Sequence, residues 1–166
     1  MSKIKITFII VNLIALIGYF NWSILAKEKI VDQGKLVLLA LAPVDPRSLM
    51  QGDYMRLNYV INDLPGGLNV EKRGFCILKK NEEGFEECVR FQKELQPLRA
   101  GEIGIRYFSE GDRYFPRIHI GAESYFFEEG SAKRYESAKF GGMRIDEHGN
   151  SVLIGLYDQD LKFIKP

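Results

Sequence analysis

Residues 6–25 contain no charged side chain, and this run of 20, dominated by Ile, Leu, Val, Phe and Ala, limits what the chain can be more than any other feature. A helix of that length rises about 30 Å, the thickness of the hydrocarbon core of a bilayer, whereas the apolar region of a secretory signal needs only about 7–15 residues. Cleavage after Ala26 would put Ile24 where a small residue is wanted, so the segment is expected to remain as an anchor. Lys3 and Lys5 precede the run, and Lys27 and Lys29, diluted by Glu28, follow it. A short basic amino terminus ahead of a single span generally stays in the cytoplasm, and Tyr19, Phe20 and Trp22 would form an aromatic belt at the far interface. The expectation is a single-pass protein of the cytoplasmic membrane with its carboxy-terminal part outside the cytoplasm. Within the span, Asn12 shares a helical face with Ala15 and Tyr19. An amide in hydrocarbon gains from a partner on another helix, which makes Asn12 a candidate transmembrane contact; a tolerated asparagine is the competing reading.

The 166 residues suffice for one domain beside the anchor. Removing the first 26 takes away only Lys3 and Lys5 and leaves a net charge of −1, that of an ordinary water-soluble domain. Such a balance argues against a surface built to neutralise nucleic-acid phosphates. The organisation expected is an anchor over residues 1–26, a short charged stalk over 27–34, and a β-rich domain over 35–166.

Strand periodicity dominates that domain. Residues 35–42 form a short apolar run, 54–61 alternate, and 74–80 and 85–91 flank a turn. Residues 103–108, 114–120, 143–146 and 152–157 continue the series, with Glu110-Gly111-Asp112 and His148-Gly149-Asn150 as turns. The fold class is mainly β, a barrel or a sandwich, with one short helix in residues 128–139 ahead of a Gly141-Gly142 stop. Cys76 and Cys88 lie on the two arms of the hairpin around residues 81–84, opposite one another or one step apart in register. They are a possible disulfide in an oxidising compartment, or two packed thiols in a reducing one. Their spacing makes neither a CxxC redox site nor a zinc site, and His119 and His148 add no ligand pattern, so no metal and no cofactor are expected.

Between the first two strands runs Asp45-Pro46-Arg47-Ser48-Leu49-Met50-Gln51-Gly52-Asp53-Tyr54-Met55-Arg56-Leu57-Asn58-Tyr59. With Gly52, Asp53, Tyr54, Leu57 and Tyr59 all in place, this stretch resembles the signature of the GDYxxLxY-domain family. A second stretch from Gly121 to Gly130, with Glu123, Tyr125, Phe126 and Phe127, is similar to that family's other conserved segment, and the resemblance covers most of residues 36–158. It implies a bacterial membrane-anchored protein found alongside polytopic membrane proteins, with no established activity. Read physically, a strand from Asp53 puts Met55, Leu57, Tyr59 and Ile61 on one face, the core, and Tyr54, Arg56, Asn58 and Val60 on the other. Gly52-Asp53 would be the turn into that strand. The functional alternative is that Asp53, Tyr54 and Arg56, with Asp45 and Arg47 on the preceding loop, present a polar surface to a partner or ligand. Arg117 and His119, alternating with Phe115, could add a small polar site near Glu123.

Catalysis finds less support. Ser-Leu-x-x-Gly-Asp before a strand and after an anchor is similar to the nucleophile region of bacterial type I signal peptidases, but the nucleophile position is held by Val44. Ser48 with Lys79 is the remaining Ser-Lys pairing, and it requires a lysine that burial keeps neutral. There is no GxSxG elbow, P-loop, GxGxxG or HExxH. The leading expectation is therefore a membrane-anchored binding or assembly module, an accessory subunit of a polytopic membrane protein. A peptidase or degenerate peptidase acting on exported chains is the alternative.

Overall fold

A computed structural model describes residues 3–42, 54–62, 70–111, 116–128 and 130–165. The uncharged run lies in helix α1, Lys3–Gln33, which has no buried residue and is long and apolar enough to cross a membrane. The charged residues 27–33, expected as a stalk, continue the same helix, since its Lys, Glu and Gln residues are good helix formers. At 1.5 Å per residue the helix is about 46 Å long, roughly 16 Å more than the hydrocarbon requires. It stops at Gly34, whose N–H donates to Ile30 O at 2.8 Å, and the Arg144 guanidinium donates to Gly34 O at 2.8 Å, placing a cation at the negative end of the helix. Strand β1, Lys35–Ala40, begins at the next residue.

The domain is mainly β. Strands β2 (Tyr54–Arg56), β3 (Arg73–Lys80), β4 (Glu86–Gln92), β5 (Glu102–Glu110), β6 (Arg117–His119) and β7 (Ser124–Phe126) are followed by a one-turn helix α2 (Ala132–Tyr135). Strands β8 (Phe140–Ile145) and β9 (Ser151–Tyr157) complete the chain. Seven strands form one curled half-barrel sheet in the order β6-β5-β3-β4-β1-β8-β9, and β2 and β7 form a separate two-stranded ribbon. Alternate residues line the concave side, Val37 and Leu39 of β1, Cys76 and Leu78 of β3, Ile105 and Tyr107 of β5, Met143 and Ile145 of β8 and Leu156 of β9. Met55, Leu57, Tyr59 and Ile61 close this core from the other side, the face expected from the alternation.

The large sheet is two sheets joined at a seam. Strand β1 pairs with β8 along its whole length but meets β4 at one parallel pair, Leu39 with Glu86. The Glu86 carboxylate fills the gap, accepting the Leu38 N–H at 2.8 Å, and Phe85 and Phe140 pack across it with ring centroids 4.9 Å apart. Burial pushes the Glu86 carboxyl above the usual carboxylate range, against the Leu38 hydrogen bond and the charges of Lys80 and Lys35. Opposite the seam the curl is closed by the β8–β9 turn. Arg106 on β5 donates its backbone N–H to Gly149 O and its Nε to His148 O, both at 3.0 Å, where β6 no longer covers that edge. Gly149 has φ +80°, and a Cβ there would meet Phe75 and the Gly104 carbonyl, so both conformation and space demand glycine.

Two expectations change in detail. The helix expected over residues 128–139 is only Ala132–Tyr135, because Lys139 already joins the ladder, donating to Tyr157 O while its carbonyl accepts from Leu41 N. Gly141 and Gly142, read as a helix stop, lie inside β8. A Cβ at Gly141 would meet the Tyr59 ring at 2.7 Å, and one at Gly142 would strike the ring of Tyr157. The glycines make room for aromatic side chains on both faces of the strand.

The β4–β5 connection is held by one ion pair. Arg90 Nη1 and Nη2 bind the two Glu102 carboxylate oxygens at 2.6 and 2.8 Å, Arg99 N donates to Glu102 at 2.7 Å, and Arg90 also donates to Pro97 O at 3.2 Å beside the cis Gln96–Pro97 bond. The Arg90 hydrogen bond, helped by the Arg99 amide, holds the Glu102 carboxyl down at about 2. The unfolded chain therefore takes up this proton first, and the stabilisation, complete above the ordinary carboxylate value of about 4.3, drains away as pH falls toward 2. Glu86 acts with the opposite sign, its raised value making stability fall as pH climbs through and above the ordinary carboxylate range. Urea midpoints of the detergent-solubilised protein should thus lose part of their acid-side decline in Glu102→Gln; an unchanged profile would refute this role for the pair.

Candidate functional site

The two stretches that carry the motif residues meet in the ribbon. Strand β2 pairs antiparallel with β7 in the register Tyr54 with Phe126, Met55 with Tyr125 and Arg56 with Ser124. Leu57 N donates to Glu123 O at 2.9 Å, just beyond the last pair. The residues after Arg56 then turn inward: Tyr59 bridges Leu41, Ala42 N donates to Asn58 O at 2.7 Å, and Val60–Asn62 form a 3-10 turn rather than more strand.

Inside, Tyr59 is fully buried, its ring against Gly141 and its hydroxyl donating to Ala122 O at 2.8 Å. Burial, and then the Glu123 charge, push the Tyr59 hydroxyl far up, so it stays a protonated donor at any physiological pH. Leu57 is 5% exposed. Glu123 tightens the turn from β6 into β7, its Oε1 accepting from Ile120 N at 2.6 Å and Gly121 N at 3.2 Å. The leucine, the second tyrosine and Glu123 thus have architectural work that accounts for them.

Outside, the ribbon presents Tyr54 and Arg56 beside Phe126. The Tyr54 and Phe126 ring centroids lie 5.7 Å apart, and Phe126 is 73% exposed. Next to this pair is a pocket of about 380 Å³ lined by Tyr125, Phe126, Phe127, Glu128, Ser131 and Tyr135. Its rings are mutually packed, Tyr125 against Tyr135 at 5.2 Å and Phe127 against Tyr135 at 5.4 Å. Burial and the hydrogen bond to Tyr135 push the Tyr125 hydroxyl up to about 12. Ser131 Oγ donates to Glu128 O and shapes the rim. An aromatic floor with a carboxylate at its edge suits an apolar or cationic side chain of a partner.

Of the residues expected to make a polar site near Glu123, the structure brings only His119 to it. His119 stacks on Phe108 at 4.8 Å, with its Nδ1 3.9 Å from Glu123 and its Nε2 3.6 Å from Glu110; Arg117 points to solvent, and Phe115 lies outside the described residues. Asp45, Arg47, Ser48, Gly52 and Asp53 also lie outside them. Lys79 is exposed on β3, between Glu87 on one side and Glu102 on the other, rather than in the buried setting that a Ser-Lys pair requires. Asn12 is exposed on α1. Cys76 and Cys88 are joined as a disulfide with Cα atoms 6.0 Å apart; Cys88 lies opposite Leu78 and Cys76 opposite Phe91, the diagonal produced by a bulge at Ile77/Leu78. Among the described residues no group of three His, Cys, Asp or Glu side chains is placed to hold a metal ion.

Reading the sequence alone misses strand β7 and with it the outward Phe126. The available signal was the run Ser124-Tyr125-Phe126-Phe127 between Gly121 and Gly130, which alternates in and out as a strand does. No curated protein and no solved structure matches the chain. A family model described as GDYXXLXY protein matches residues 16–156, from the second half of the apolar run to the last strand, and the chain belongs to that family.

Proposed function

We propose that the protein is a single-pass anchor of the cytoplasmic membrane whose β domain stands outside the cytoplasm as a binding and assembly module, an accessory subunit of a polytopic membrane protein. The observation that carries this reading is the outward Tyr54–Phe126 pair beside an aromatic pocket, on a ribbon whose inward side is fully used in packing. Exposed aromatic side chains next to a ready pocket are the anchors that interfaces favour. Helix α1 supports the membrane reading, since no residue of it is buried and it is long and apolar enough to cross a bilayer. The Cys76–Cys88 bond supports the outward orientation, since such bonds persist in oxidising compartments. Lys3 and Lys5 ahead of the span point the same way.

The test is copurification from native membranes in mild detergent, followed by mass spectrometry, of the unmodified protein and of Tyr54→Ser combined with Phe126→Ser. Both positions are on the outer face, so the variant should fold, as circular dichroism would verify. A polytopic protein should accompany the unmodified chain and fall at least about tenfold with the variant, the loss that truncating two hot-spot residues produces. Recovery of the same partner with both forms would remove the ribbon from the interface. Recovery of none would end the assembly reading.

A further inference from the structure

The domain does not hang clear of its helix. A cleft of about 590 Å³ separates the last two turns of α1 from the β4–β5 connection and the ends of β1, β5 and β8. Its apolar walls are Ala26 and Ile30 on the helix and Leu95, Leu98, Ile103 and Ile145 on the domain. Ala26 is the residue before Lys27, the first charge after the apolar stretch, so the cleft opens at the level where the helix would leave hydrocarbon for headgroups. An amphiphile of that leaflet could enter without its chain crossing water.

The charges on the walls are unequal in availability. Glu102 is bound by Arg90, and Asp146 accepts the backbone N–H groups of His148 and Asn150 within its own turn. Glu147 points to solvent, its side chain 88% exposed. Lys29 and Lys35 both line the cleft and are exposed, and among the described residues neither makes a salt bridge. An apolar trough with two exposed ammonium groups outside any described salt bridge at a membrane interface complements a lipid whose head is anionic.

We propose that this cleft holds one anionic phospholipid of the surrounding leaflet, an acyl chain lying along Ile30, Leu98 and Ile103 and the phosphate held by Lys29 and Lys35. The proposal rests on the reading of α1 as a retained anchor. Bound there, the lipid would fix the tilt of the domain against the bilayer and so set the height at which the ribbon meets a partner.

The test uses the full-length protein purified in mild detergent, with phosphatidylglycerol or phosphatidylcholine added as the probe and retained lipid counted by native mass spectrometry. One phosphatidylglycerol should be retained, at least about tenfold in preference to phosphatidylcholine. Lys29→Gln with Lys35→Gln should abolish the preference, whereas Lys27→Gln, a lysine on the same helix segment outside the cleft, should leave it intact. Leu98→Trp, which fills the trough from a half-exposed loop position, should abolish retention of either lipid; should that variant misfold, the lysine comparison decides. An equal loss with Lys27→Gln would mean diffuse surface charge and overturn the site. Retention unaffected by a folded Leu98→Trp, or a second copy of the chain in place of lipid, would overturn it as well. Alkaline carbonate extraction keeps the two readings apart. Protein released by carbonate fails as an anchor, whereas protein that stays with the membrane yet retains no lipid leaves the anchor standing and removes the cleft proposal alone.

Discussion

Tyr59→Ala is expected to destabilise the β domain by about 3–5 kcal/mol, the range for emptying a buried aromatic site, and to leave much of the protein unfolded at growth temperature, since whole domains are stable by only about 5–15 kcal/mol. Three features concentrate the loss at this position. The ring is fully buried, it occupies space that Gly141 vacates, and its hydroxyl satisfies the Ala122 carbonyl at the base of the ribbon. Tyr59→Phe keeps the ring and should cost about 1–2 kcal/mol, the share of the hydrogen bond and the stranded carbonyl. Gly141→Ala should reproduce part of the Tyr59→Ala phenotype from the other side by displacing the ring. Urea unfolding of the detergent-solubilised protein, followed by tyrosine and tryptophan fluorescence and circular dichroism, measures all three. A Tyr59→Ala loss below about 1 kcal/mol would show that the motif's last tyrosine is not the core element described here.

Opening the Cys76–Cys88 bond should cost about 3 kcal/mol, the loop-closure value for a ring of about 13 residues. The bond ties β3 to β4 on the half of the sheet away from the helix, so its loss should loosen the hairpin before the β1–β8–β9 half. Cys76→Ser with Cys88→Ser, or the unmodified protein in reductant, should show a urea midpoint lowered by that amount. Alkylation of native protein before and after reduction gives an independent readout: no label before, two labels after. Two labels without reduction would show open thiols and remove the support that the disulfide lends to an outward-facing domain.

Much of the molecule is legible from the chain because its strongest signals are local. Twenty uncharged residues dictate a membrane-length helix, and the alternation from Met55 to Ile61 identifies core residues even though the backbone there is strand for only three of them. Alternation records which side chains point inward, and a bridge followed by a 3-10 turn preserves that record. What escapes is non-local. The Glu128–Lys139 helix pattern is genuine in composition, but ladder bonds from Lys139 to distant strands outweigh the few tenths of a kcal/mol per residue that propensity supplies. Gly141 and Gly142 look like a stop because glycine usually punctuates; only the facing rings of Tyr59 and Tyr157 explain them as sheet. The same holds for the candidate site. Period alone places Tyr54 and Arg56 outward, but their neighbour Phe126 is some 70 residues away, and no spacing rule announces that pairing.

The junction between helix and sheet has a mechanical consequence. Only Gly34 separates the end of α1 from β1, its amide and carbonyl are both clamped, and β1 is the strand that meets β4 at a single residue pair. A rigid rod of membrane-spanning length fused to the weakest line of a sheet is a crank. Rotation or tilt of the rod, by a change in membrane thickness or by a neighbouring helix gripping the Asn12 face, would be delivered as torque to that line, with the Glu86–Leu38 contact and the Phe85–Phe140 pair as the first to yield. The resistance to such a load would reside in the few bonds that hold the two half-sheets together, and not in the ribbon.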